Sequence, residues 1–111
     1  MDSALAQSIT IDNNKPKKDP SGSIIDVHDG NMLKSGELFY WYGTAYGNTN
    51  GFTYNNYFQC YSSRDLMHWS GGGSLLSQAP KGIYYRPHVI YNKLTRLYVL
   101  WYNWYPAFWN G

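Results

Sequence analysis

The sequence predicts an all-β chain that carries the first blade of a β-propeller and the start of the second. Three observations carry this. A hairpin pattern is written twice: residues 31–43 and residues 89–103 each run as a short apolar strand, a polar turn and an aromatic strand. Each copy is entered by a compact polar cluster, His28-Asp29-Gly30 in the first and Arg86-Pro87-His88 in the second. A repeat of one small sheet is how radial β-architectures are built, and polar residues at the strand entrances then converge on one end of a central axis. Aromatic residues make up 19% of the 111, with 12 Tyr and 5 Trp. Such side chains suit strands, wet grooves and flat-faced polar ligands such as sugars.

The elements follow in order. Residues 1–22 read as a flexible lead-in: residues 12–22 hold two prolines and alternating charge, which mark a loop. Ile9 and Ile11 fit a short strand pairing elsewhere. Residues 23–111 form the incomplete propeller domain. Its first, innermost strand is Met32–Lys34, with a turn at Ser35-Gly36 and a second strand over residues 38–46, where β-branched and aromatic types dominate. A loop rich in Gly and Asn spans residues 47–56, and residues 57–63 form the third strand. Ser63 or Asp65 caps a single tight turn, after which Leu66 and Trp69 fall on the same side. Residues 74–76 are a short outer strand. Residues 89–91 and 97–104 open the second blade. The two repeats are expected to pack through some combination of Leu33, Phe39, Trp41, Val89, Val99 and Trp101. No stretch keeps a helical period. A propeller needs about four to eight blades to close, so the chain reads as a fragment.

Composition excludes several classes. Net charge is +2 with no basic block, so nothing asks for nucleic acid. No apolar run approaches the roughly 20 residues of a membrane span. Cys60 is the single cysteine. It permits no internal disulfide and reads as a small packed strand residue rather than a reactive thiol. Gly71-Gly72-Gly73 lies on no strand-to-helix junction, so it has no phosphate-binding meaning. Ala4-Leu5-Ala6-Gln7 has the Ala-x-Ala form of a signal-peptidase site without a charged or apolar region before it, and hints at a secreted protein. No cofactor and no defined protein partner is expected.

The candidate chemistry sits at the two entrances. Asp29 at a blade mouth can act as general base on a water if it faces the pocket and stays ionised, and Gly30 permits close backbone approach. Equally, Asp29 can accept backbone N–H bonds in an entrance turn while His28 makes a polar contact. Pro87 cannot donate to a ladder and so marks a strand start or a bulge. Arg86 can brace a carboxylate, contact a ligand hydroxyl or lie free at the surface. His28 and His88 show no metal-site spacing. The rings after Trp101 alternate between two faces, and Trp104 could flank a sugar or pack in a core.

At these residues the sequence closely resembles the opening of the family 43 glycoside hydrolases. The resemblance rests on His28-Asp29-Gly30 with residues 38–43, on residues 61–66 with Trp69, and on Tyr85-Arg86-Pro87-His88-Val89-Ile90-Tyr91-Asn92 with Thr95 and residues 98–101. It runs from about Ile24 to the last residue, and the branch most similar is that of exo-β-1,3-galactanases. It implies a five-bladed β-propeller, of which this chain is an N-terminal part, and hydrolysis of galactose- or arabinose/xylose-containing glycans with inversion. Asp29 aligns with the family's general base. In the galactanase-like branch a small residue usually stands there beside a His, and a Glu usually precedes the Arg-Pro where this chain has Tyr85. The general acid belongs to a later blade. Together the residues imply a pocket of Asp29 as candidate base with His28, Tyr85, Arg86, His88 and Trp104 as candidate sugar contacts.

Overall fold

A computed structural model describes residues 8, 10–47, 53, 56–76 and 80–106. Six strands follow in order: β1 (His28–Ser35), β2 (Leu38–Ala45), β3 (Tyr57–Ser63), β4 (Ser70–Leu75), β5 (Gly82–Asn92) and β6 (Leu97–Pro106). Strands β1 to β4 form one antiparallel sheet in sequence order, and β5–β6 form a second. The expected blade and following hairpin are both present, the hairpin beginning at Gly82, and β5 lies against β1 and β2.

Local chemistry explains the connections. β1 turns into β2 through Gly36 and Glu37, and Gly36 at φ 61° takes the left-handed conformation that such a two-residue turn requires. Asn92 closes the β5–β6 turn: its Oδ1 accepts the Leu94 N–H at 2.9 Å and the Thr95 N–H at 3.3 Å. After β3, Ser63 Oγ accepts the Leu66 N–H at 2.9 Å, and Asp65 Oδ1 accepts the Met67 and His68 N–H groups at 2.8 and 2.9 Å. That turn drops Trp69 into a core with Ile25, Val27 and Tyr61, against which Phe39, Trp41 and Leu66 pack. In the lead-in, Lys18 bridges to Ile24. Ile11 lies in no strand, whereas Ile9 and Ala4–Ala6 lie outside the described residues.

The contact between the sheets uses the other face of blade one. Asn31 does the work of a backbone group there, its Nδ2 donating to the Val89 carbonyl and its Oδ1 accepting the Val89 N–H, each at 3.0 Å. Phe58 meets Tyr84 edge-on at 5.8 Å and Tyr102 at 5.5 Å. Val89 is buried as expected, but Phe39 and Trp41 belong to the Trp69 core, and Trp101 is 64% exposed. The reason is the two-residue period of a strand. A shift of one residue moves a side chain to the opposite face, and an aromatic run does not say which face meets the neighbour.

Candidate active site at the entrances of β1 and β5

Each sheet is entered through a bulge. The β1–β2 register shifts between His28 and Asn31, and the β5–β6 register shifts between Tyr85 and His88. Inside each bulge a non-glycine residue holds a left-handed backbone, Asp29 at φ 58° and Arg86 at φ 57°. Such residues cost on the order of 1–3 kcal/mol each and persist only where the surroundings over-determine them. The surroundings are visible. The Arg86 N–H donates to Thr44 Oγ1 at 3.0 Å, and Thr44 is fully buried. A Cβ on Gly30 would stand 1.8 Å from the Tyr42 carbonyl oxygen, so the β1 bulge can lie against β2 only with glycine at that position.

Around the first bulge the side chains form a connected cluster. Tyr46, just past β2, donates its hydroxyl to Asp29 Oδ2. Its ring stacks on His28 with centroids 4.5 Å apart and planes 4° from parallel. The His28 Nε2 lies 3.0 Å from Asp26 Oδ1. Burial, the hydrogen bond to Asp29 and its charge push the Tyr46 phenol up to about 12, with the Arg86 guanidinium pulling the other way. Tyr46 is therefore a neutral donor at any ordinary pH, and Arg86 stands within electrostatic reach of the Tyr46–Asp29 pair. The Arg86 guanidinium also lies 5.2 Å from the centre of the Tyr85 ring. Tyr85 is buried and stacks on Tyr105 at 5.5 Å, and their shared hydrogen bond raises its phenol pKa.

His28, Asp29, Tyr85 and Arg86 thus come together at one mouth. His88 and Trp104 do not join them. His88 pairs in register with Trp101. Trp104 pairs with Tyr84 on the face opposite Tyr85, where Pro80, Tyr84, Tyr102 and Trp104 line a shallow cavity of about 190 Å³. Gly82 leaves room for that ring, since a Cβ there would stand 2.1 Å from the Trp104 indole nitrogen. Sequence reading missed Asp26, Thr44 and Tyr46. Their one available signal was proximity: Asp26 stands two residues before His28, and Thr44 and Tyr46 close the aromatic strand that pairs with it. Among the described residues no group of three His, Cys, Asp or Glu could hold a metal ion. Cys60 is buried, which raises its thiol pKa, in keeping with a packed rather than a reactive role.

One four-stranded sheet, a second hairpin against it and a polar cluster at each strand entrance fit the opening of a β-propeller. An exo-β-1,3-galactanase from Clostridium thermocellum is 36% identical to this chain, with a TM-score of 0.74 over 88% of this chain and 22% of that one. A family 43 β-1,3-galactosidase solved with galactodeoxynojirimycin is 29% identical, with a TM-score of 0.75 over 88% of this chain and 30% of that one. An exo-β-1,3-galactanase from Phanerochaete chrysosporium, solved with galactose, is 25% identical, with a TM-score of 0.70 over 85% and 23%. No family model and no curated protein matches the chain. The chain is thus similar to family 43 enzymes over most of its own length, and it spans about a quarter of the length of these relatives.

Proposed function

We propose that the protein hydrolyses O-glycosidic bonds of galactose- or arabinose/xylose-containing glycans with inversion, and that Asp29 is its general base. The observation that supports this reading is the cluster at the mouth. An exposed carboxylate on a left-handed bulge accepts the hydroxyl of a tyrosine that is neutral at ordinary pH, beside a stacked histidine and within reach of an arginine. In an inverting glycosidase the base removes a proton from the water that attacks the anomeric carbon. The acid, about 6.5–9.5 Å away, protonates the leaving oxygen on the opposite side of the ring. The Tyr46 hydroxyl holds one carboxylate oxygen and leaves Oδ1, which takes no hydrogen bond among the described residues, to meet that water. His28 and Arg86 supply donors for sugar hydroxyls.

Under this reading the proton donor for the leaving group comes from outside the described residues. Of the seven acidic residues, Asp12 and Asp19 belong to the lead-in, Glu37 pairs with Arg64 at 3.0 Å, and Asp65 caps the turn after β3. Asp2 lies outside the described residues, and Asp26 accepts two backbone N–H groups and pairs with His28. The 111 residues alone are therefore expected to release no sugar from aryl β-galactoside, α-arabinofuranoside or β-xyloside. The decisive experiment is Asp29→Asn in the full-length enzyme. The amide keeps the shape and loses the proton acceptor, so turnover should fall on the order of 10²–10⁴-fold while galactoside binding survives. Near-normal turnover would give Asp29 a purely structural role. A full-length protein that binds galactosides and hydrolyses none of the three would instead be a carbohydrate-binding propeller.

A further inference from the structure

Asp26 is the carboxylate that neither the motifs nor the base assignment uses, and it is the most heavily bonded polar side chain at the mouth. Its Oδ1 accepts the Tyr46 N–H at 3.0 Å and lies 3.0 Å from the His28 Nε2, and its Oδ2 accepts the Gly47 N–H at 2.7 Å. The end of β2 and the first residue of β1 are thus tied to one side chain. Tyr46 and His28, the two residues it holds, stack on each other, and Tyr46 in turn holds Asp29. Asp26 already accepts a backbone N–H at each of its oxygens, which ties it to the chain rather than to the attacking water. It is, however, placed to set the orientation of everything else in the cluster.

We propose that Asp26 is the positioning residue of this mouth. It fixes the His28 ring and the Tyr46–Gly47 backbone, and through the Tyr46 hydroxyl it aims Asp29 at the bound sugar and its attacking water. This role rests on the reading of Asp29 as the base. The inferred chain of contacts is short and asymmetric: loss of Asp26 releases both rings, whereas loss of the Tyr46 hydroxyl releases Asp29 alone.

Two variants of the full-length enzyme test it, each with a readout that does not depend on catalysis. Asp26→Asn replaces one acceptor by an amide donor, which cannot serve both backbone N–H groups. In the wild type, imidazole ¹⁵N shifts should show His28 protonated on Nε2, and ring-current shifts should report the stacked Tyr46. In Asp26→Asn the tautomer should become averaged and the ring-current shifts should shrink. Tyr46→Phe should leave the tautomer and the stacking in place. Both variants should lower kcat/KM for an aryl galactoside on the order of 10²-fold, the scale of a reacting group misplaced by about 1 Å. Adding either to Asp29→Asn should cost nothing further, because they act through Asp29. An unchanged His28 tautomer in Asp26→Asn, or full kcat/KM in Tyr46→Phe, would overturn the proposal. If the wild type turns over no glycoside, the glycosidase reading fails by itself. The NMR comparison then still decides whether Asp26 orients the two rings.

Discussion

β1 and β5 enter their sheets through the same device, a bulge with a left-handed non-glycine residue, yet the sheets behind them differ in how they are held. The β1–β4 sheet has its own core on one face, where the Trp41 and Trp69 rings meet at 5.3 Å and Trp69 is 2% exposed. Its other face receives β5–β6. The hairpin is covered less, and along β6 Leu97, Tyr98, Trp101, Tyr102 and Trp104 are all exposed. The bulge at Asp29 is over-determined by Tyr46, by Gly30 against β2 and, through Tyr46, by Asp26. The bulge at Arg86 is held across the sheet boundary by Thr44. Strain at a strand entrance can therefore be supported from within a blade or from its neighbour.

The largest effect that could break this comparison concerns the two tryptophans. Trp69→Ala opens the buried core and should destabilise the protein by about 3–5 kcal/mol. Trp101→Ala, which removes a ring of the same size from an exposed face, should stay within about 0.5 kcal/mol. Denaturant unfolding of the 111-residue chain measures both. Similar losses for the two would mean that the outer face of β5–β6 is covered in solution.

A smaller effect sharpens the parallel between the bulges. Glycine adopts φ near 60° without penalty, so Asp29→Gly should be more stable than Asp29→Ala by about 1 kcal/mol, and Arg86→Gly than Arg86→Ala by a similar amount. A gain at only one site would show that the two bulges are not equivalent in strain. Under the proposed function both glycine variants should also lose hydrolysis, since that reading places the Asp29 and Arg86 side chains at the sugar.

A further effect is alkaline and belongs to the β1–β4 sheet. Burial pushes the Tyr42 phenol up to about 12, and the Tyr46 phenol is raised to the same value. The folded protein therefore keeps two protons that an unfolded tyrosine gives up near pH 10. That contribution is fully present below about pH 10 and is lost as the pH rises through about 12. Unfolding free energy followed from pH 9 to 12 should fall, and should fall less steeply in Tyr46→Phe. An unchanged slope in that variant would mean that Tyr46 titrates normally.

Much of the fold was legible because strands and turns answer to neighbours in sequence. Period-two aromatic runs mark β2 and β6, Gly36 and Asn92 mark their turns, and the Ser63–Asp65 pair marks the turn that delivers Trp69. The two entrance clusters were legible for the same reason, with Pro87 pointing to a bulge. The faces were not. Phe39 and Trp41 went to the Trp69 core and Phe58 to the contact with β5–β6, because one step of register decides the side. Tyr85 and Trp104, both named as sugar contacts, were sent to opposite faces of the hairpin by the same alternation. The union of Asp26 with Tyr46, and of Thr44 with Arg86, also needed the tertiary structure. Those partners lie 20 and 42 residues apart, and only the pairing of β1 with β2 and the docking of β5 bring them within hydrogen-bond distance. By itself, then, the sequence determined most of the strands, their turns and the two entrance clusters, which are local consequences of side-chain type. Which of those residues form one site was decided by register and by the packing of one sheet on the next.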